Sequence, residues 1–165
     1  MDYLEFLKPI AKMEKFKKFF QLISYLQYPL MVLAMFFSFK PYFNGMDYVI
    51  KNPTILLENY NYALIFLGLG ISFSTLQDTT KTQSKFSKKI WEDPKKGKRM
   101  IVITCALVLL FLSYGIFGYF ITENQQIREV SFGAIVLAIG LIGFLKTALE
   151  VFENHRKDKN TTINK

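Results

Sequence analysis

Residues 78–99 read DTTKTQSKFSKKIWEDPKKGKR and lie between two long apolar segments. Lys and Arg beside a membrane span resist translocation, so a basic loop of this kind is strongly biased towards the cytoplasm. The sequence therefore predicts a membrane protein whose hairpin, residues 78–99, is cytoplasmic. We expect this hairpin to prolong the preceding span as a helix that ends near Asp93-Pro94, because a residue before proline disfavours helix. Its cations outnumber the acids Asp78, Glu92 and Asp93 and are Lys81, Lys85, Lys88, Lys89, Lys95, Lys96, Lys98 and Arg99.

The apolar residues of the chain are concentrated in four long blocks. A composition of 51% hydrophobic residues in 165 would also suit a soluble domain, but a soluble domain spreads such residues in short periodic stripes. Blocks of about 20 apolar residues are instead typical of transmembrane helices. We therefore predict an all-α integral membrane fold, a four-transmembrane-helix bundle within residues 19–152. The predicted spans are about 19–39, 53–77, 100–121 and 130–152.

Both ends of the chain are polar and basic. Residues 1–18 place Lys8, Lys12 and Lys15 on one helical face, which is typical of an amphipathic helix lying in the membrane interface. Residues 153–165 form a polar tail that we expect to be disordered. With the hairpin, these regions put the positive charge on one side, which predicts cytoplasmic N- and C-termini in a plasma or inner membrane.

The first two spans contain polar positions of interest. Pro29 frees the backbone carbonyl of Tyr25, so we expect a kink in the first span. Such a bend is more often a packing feature than a hinge. Ser24 and Gln27 near the bend, and Asn61 in the second span, are the candidate polar lining of a solute path.

Small residues recur in the second and fourth spans at spacings that let another helix approach closely. In lipid, close packing drives helix association, so these positions predict helix contacts rather than a ligand groove. The predicted packing residues are Gly68, Gly70, Ser72, Ser74, Gly133, Gly140 and Gly143.

The sequence offers little catalytic chemistry. His155 in the tail is the one histidine and Cys105 in the third span the one cysteine, so a haem pair, a His/Cys metal cluster, a disulfide and a histidine triad are all excluded. We predict no catalytic, cofactor or metal residue and expect a protein that is not an enzyme. An enzyme using Glu58, Asp78 or Glu150 is the least favoured alternative, for want of a paired base and nucleophile.

The net charge of +8 raises nucleic acid as a partner. Here the basic residues cluster at span ends, where anionic lipid headgroups are the expected counter-charge. We therefore expect the lipid bilayer, and not nucleic acid, to face them.

Two functions fit these features. The first is non-enzymatic: helix packing and partner binding by an accessory subunit, assembly factor or inhibitor, as a homo-oligomer or with another membrane protein. The alternative is a homo-oligomeric channel or small-solute transporter, with its path between copies. For the first, aromatic and apolar residues of the hairpin would anchor the partner and lysines would steer it by charge. The predicted partner or lipid contacts are Phe86, Lys88, Lys89, Ile90, Trp91, Lys95 and Lys96.

Overall fold

The computed structural model describes residues 15–79 and 85–160, and within these ranges the regular structure is helical. Of the predicted interfacial helix, residues 1–14 lie outside the described residues, and residues 15–18 belong to the first helix. The helices are residues 15–24 (α1), Gln27–Phe39 (α2), Met46–Lys51 (α3), Thr54–Ser74 (α4), Lys85–Trp91 (α5), Pro94–Ile121 (α6), Gln125–His155 (α7) and Lys157–Asn160 (α8), with a 3₁₀ helix at Lys40–Asn44.

Within the described residues, the helical structure confirms the all-α class, and four segments are long and apolar enough to cross a membrane. They are Lys15–Asn44, Thr54–Ser74, Pro94–Ile121 and Gln125–His155. We call the end of these helices that carries residues 75–99 the hairpin end, and the opposite end, with residues 40–53 and 122–124, the loop end.

The first segment bends where the sequence predicts a kink. A turn at Tyr25 and Leu26 separates α1 from α2. Pro29 has no N–H with which to reach the carbonyl of Tyr25, and that carbonyl instead accepts a hydrogen bond from the amide of Tyr28 at 3.1 Å. The proline therefore tightens the chain one turn before its own position.

The four long helices form a row rather than a closed bundle. The order is α2–α4–α7–α6, because α4 packs on α2 and α7, and α6 packs on α7, with no comparable contact between α2 and α6 in the described residues. Burial follows this order: 39% of the apolar window of α7 is buried, against 11% for the segment that contains α2. Two edge helices therefore keep most of their surface free.

The two central helices are parallel and in register. Their contacts join residues 72 positions apart, and the contacting positions recur every seven residues along each helix. A seven-residue repeat keeps one face of a helix towards its neighbour over several turns. The matched pairs are Asn61 with Gly133, Gly68 with Gly140, and Thr75 with Thr147.

The hairpin differs from its prediction. The helix α4 ends at Ser74, before the expected residue 77, and α5 is a separate short helix. Asp93 caps α6, because its carboxylate accepts hydrogen bonds from the amides of Lys95 at 2.9 Å and Lys96 at 3.3 Å. Proline is favoured in the first helical turn, so Pro94 starts a helix that begins before the expected residue 100.

Candidate functional site

An apolar cluster fixes the hairpin to the end of α7. Trp91 is 8% exposed and packs with Phe152, which is 4% exposed, and with Ala148. Ile90 lies partly buried against the same cluster. Trp91 and Ile90, two of the predicted partner contacts, therefore direct their apolar surface into the chain, while the side chain of Phe86 lies outside the described residues.

A glycine makes this docking close. A Cβ atom at Gly97 would collide with the ring of Phe152, so the first turns of α6 lie directly against that ring. Neither residue was predicted from the sequence to be part of a site. The available signal was a glycine in the first turns of a helix, together with an apolar residue four positions beyond Ala148.

Charged groups hold the tail against the hairpin. The carboxylate of Glu92 lies 2.9 Å from Nζ of Lys157 and 3.7 Å from Nζ of Lys88. The amide of Lys157 also donates to the carbonyl oxygen of Glu92 at 3.2 Å. The guanidinium of Arg156 lies 5.7 Å from the centre of the Phe152 ring, within the range of a cation–π contact.

These contacts correct the expectation of a disordered tail. The helix α7 continues to His155, and α8 follows at Lys157–Asn160. Arg156 forms ion pairs with Glu153 and Asp158. The tail is helical to residue 160, and its cations Arg156 and Lys157 pair with acidic residues beside the docked Phe152.

Glu92 and Asp93, two of the three acidic residues of the hairpin, have lowered pKa values. Hydrogen bonding from Lys157 lowers the pKa of Glu92, with further attraction from Lys88. The backbone amide and the ammonium group of Lys96 lower the pKa of Asp93. Both carboxylates are therefore charged at neutral pH, and Lys88 and Lys96 are paired inside the hairpin.

Within residues 85–99, the other cations of the hairpin are exposed and have no acidic partner among the residues that the structure describes. In α6, residues three and four apart share a helical face, so Lys95, Lys98 and Arg99 lie together, on the side opposite Gly97. Positive charge in the first turn of a helix opposes the helix dipole, so Lys95 does not stabilise α6, and Lys98 and Arg99 lie beyond that turn. We call the exposed set the free hairpin cations; they are Lys85, Lys89, Lys95, Lys98 and Arg99.

The predicted packing glycines lie at helix contacts. Gly133, Gly140 and Gly68 lie between α4 and α7, and Gly143 approaches Thr75. Gly70 faces the other neighbour of α4: a Cβ there would lie 3.4 Å from Met31 and 3.5 Å from the carbonyl oxygen of Gln27. The hydroxyl groups of Ser72 and Ser74 donate to carbonyl oxygens of their own helix at 2.9 and 2.6 Å.

The three candidate lining residues do not meet. Ser24 is fully buried at the kink and donates to the carbonyl oxygen of Gln21 at 2.7 Å. Gln27 lies at the contact between α2 and α4, whereas Asn61 lies between α4 and α7 beside Gly133. Within the described residues, these positions therefore belong to three separate contacts.

Acidic residues do not form a metal centre in the part of the chain that the structure describes. Glu150 pairs with Lys146 at 3.2 Å, as the helical spacing predicts. Asp78 and Glu150 line one cavity at the hairpin end, whereas Glu58 lies in the half of α4 that starts from the loop end.

Comparisons with known protein families, curated proteins and solved structures find no match.

Proposed function

We propose that this chain is a multi-pass integral membrane protein that works without catalysis, by binding a second protein as an accessory subunit, assembly factor or inhibitor. Its four apolar helices support the membrane location. The charge of the hairpin supports an orientation with the hairpin end, and hence both termini, in the cytoplasm. A plasma or inner membrane fits this orientation.

The docking of hairpin residues 85–99 on the end of α7 is the observation that carries the proposal. A loop that only sets orientation needs its charges but no defined structure. Here Trp91 is buried against Phe152, and Glu92 is paired with Lys157. A surface ordered before binding loses less conformational entropy when a partner docks.

The free hairpin cations define the chemistry of the partner. Exposed charges of one sign speed encounter with a surface of the opposite sign and select against wrong partners. An acidic protein surface close to the membrane fits them. Anionic headgroups compete for the same lysines at about 1 kcal/mol per cation, so the bilayer orients the hairpin and the acidic partner displaces the lipid.

The edges of the helix row offer a second kind of contact. Val32 and Met35 of α2 are 60% and 58% exposed, and Leu109 and Phe120 of α6 are 65% and 76% exposed. In lipid, helices associate through close packing without a hydrophobic driving force. Such faces can therefore pack against another membrane protein or a second copy. Both interactions belong to the proposed binding role.

A homo-oligomeric channel is the second candidate, and one observation favours it. Asn61 is 9% exposed, and its side-chain oxygen has no hydrogen-bond donor among the described residues. Any path would have to run between copies, because Gly68 and Gly140 are in backbone contact within the protomer. Solute flux through liposomes that contain only this protein tests the channel; its loss on Gln27→Leu would favour it.

Photo-crosslinking in native membranes tests the binding role. A photoreactive residue at position 89, an exposed site on the hairpin, should give one or a few defined protein adducts. The same residue at position 43, which is 69% exposed at the loop end, should give lipid adducts. Lipid adducts alone from both positions would contradict the proposal.

A further inference from the structure

A cavity of about 390 Å³ opens at the hairpin end. Three elements build it: the first helix, the residues that follow α4, and α7. Its volume lies within the range of small-molecule sites in proteins. The lining residues are Lys17, Phe20, Thr75, Leu76, Gln77, Asp78, Thr79 and Glu150.

The cavity is amphiphilic. Phe20 and Leu76 supply apolar surface, Lys17 supplies a positive charge, and Asp78 and Glu150 supply negative charges. The backbone amide of Asp78 donates to the side-chain oxygen of Gln21 at 3.1 Å, which ties the first helix to the end of α4. The walls of the cavity are thus joined by a direct hydrogen bond.

The lining carries charges of both signs. Lys17 is a cation, Asp78 and Glu150 are acids, and Glu150 also lies 3.2 Å from Lys146, which does not line the cavity. The free hairpin cations, by contrast, form a surface of one sign. A site with charges of both signs fits a zwitterion better than an anion, because the positive and the negative group of the ligand must each find a partner.

We propose that this cavity binds the headgroup of a zwitterionic phospholipid of the ethanolamine class. The phosphate would lie at Lys17, the ammonium group at Glu150, and the first acyl carbons at Phe20 and Leu76. A primary ammonium offers three N–H donors, which suit carboxylate and hydroxyl oxygens. A choline headgroup is recognised by aromatic cages, and this cavity is lined by a single aromatic residue, Phe20.

This inference rests on the proposed membrane location but not on partner binding. Its residues are separate from the free hairpin cations, so the two proposals fail independently. A headgroup site at this level would select lipid by chemistry, whereas the hairpin responds to surface charge.

Native mass spectrometry of the purified full chain in mixed micelles tests the site. The probes are equal amounts of dioleoyl phosphatidylethanolamine, phosphatidylcholine and phosphatidylglycerol. We expect ethanolamine lipid to be retained about fivefold over choline lipid, the size of a charge-assisted hydrogen bond at a half-exposed site. Preferential retention of phosphatidylglycerol would overturn the proposal.

Two variants separate the roles of the charges. Lys17→Gln removes the phosphate contact, so retention of ethanolamine and choline lipids should fall together and their ratio should persist. Glu150→Gln removes the ammonium contact, so the preference for ethanolamine should vanish and phosphatidylglycerol should gain. An unchanged ratio in Glu150→Gln would contradict the assignment.

Lys18→Gln is the matched control, because Lys18 is an exposed neighbour of Lys17 that does not line the cavity; it should leave all three lipids unaffected. Soluble phosphoethanolamine separates a lipid from a free headgroup. Lacking acyl carbons for Phe20 and Leu76, it should not displace the lipid at equal concentration. Displacement under those conditions would exclude a lipid as the occupant.

Discussion

Gly68 and Gly140 meet backbone to backbone where α4 crosses α7. A Cβ atom at Gly140 would collide with the carbonyl oxygen of Gly68, and a Cβ at Gly68 would lie 2.7 Å from the carbonyl oxygen of Val136. Glycine at both positions lets the two central helices of the row approach closely. The row α2–α4–α7–α6 depends on this crossing, because it joins the α2–α4 pair to the α7–α6 pair.

Substitution of Gly140 tests the crossing. We expect Gly140→Leu to push α4 away from α7 and to cost about 1–3 kcal/mol, the range for overpacking a core. Folded yield and thermal midpoint in detergent, followed by size-exclusion chromatography, measure the effect. Ile139→Leu is the control, since Ile139 is 59% exposed; equal behaviour of the two variants would place Gly140 outside the packing contact.

Trp91 is the one tryptophan of the chain, so its fluorescence reports hairpin docking. Phe152→Ala should shift its emission to longer wavelength and speed tryptic cleavage near Lys85 and Lys89, because truncating a large core aromatic typically costs about 3–5 kcal/mol. Phe120→Ala is the control, since Phe120 is 76% exposed. Unchanged emission in Phe152→Ala would show that the hairpin does not depend on this contact.

Hairpin docking should weaken in acid. Folding lowers the pKa of Glu92 below its ordinary value of 4.5, chiefly through Lys157. The ion pair therefore stabilises the docked state above pH 4.5, and this contribution is lost as the pH falls through the lowered pKa. Trp91 emission should shift in that range.

Glu92→Gln should reduce this acid response and leave the part due to Asp93, whose pKa is also lowered. Glu123→Gln is the control, because Glu123 is exposed at the loop end. A full acid response in Glu92→Gln would assign the transition to other groups.

The sequence predicted where the helices lie in the chain better than it predicted which helices pack against each other. Apolar block length identifies spans, and Pro29 marks a bend, because both effects are local to one segment. The pairing of α4 with α7 is not local: Gly68 and Gly140 are 72 residues apart, and a small residue indicates that a helix approaches without indicating which one. Gly68 and Gly70 in fact face different neighbours.

The structure of the hairpin could be predicted only in part, again because one of its contacts joins distant parts of the chain. Its charges are visible in the sequence, and Lys89 and Lys95 are exposed as a binding surface requires. The burial of Trp91 depends on α7 continuing to His155, beyond the apolar block that ends near residue 152. Because α7 extends this far, Phe152 lies beside the hairpin, and Trp91 packs against it rather than on a partner.

Chemical labelling tests the orientation. After Cys105→Ala, an impermeant thiol reagent applied outside intact cells should label Gln125→Cys and leave Ser87→Cys unlabelled until the membrane is opened. Neither substitution changes a charge that sets topology. Labelling of Ser87→Cys from outside, without labelling of Gln125→Cys, would invert the orientation.

The proposed role requires that the free hairpin cations select a protein partner. This selection can be measured as the yield of protein adducts from position 89 after some of these cations are replaced by neutral residues. Changing Lys95 and Lys98 to Gln should reduce the yield of protein adducts about tenfold, because two charge contacts of about 0.5–1 kcal/mol each are lost. The fluorescence emission of Trp91 should stay unchanged, since the hairpin remains docked. Changing Lys15 and Lys18 to Gln removes the same charge from the first helix and should leave the yield intact. An unchanged yield in the Lys95 and Lys98 variant, or an equal loss in both, would contradict the account.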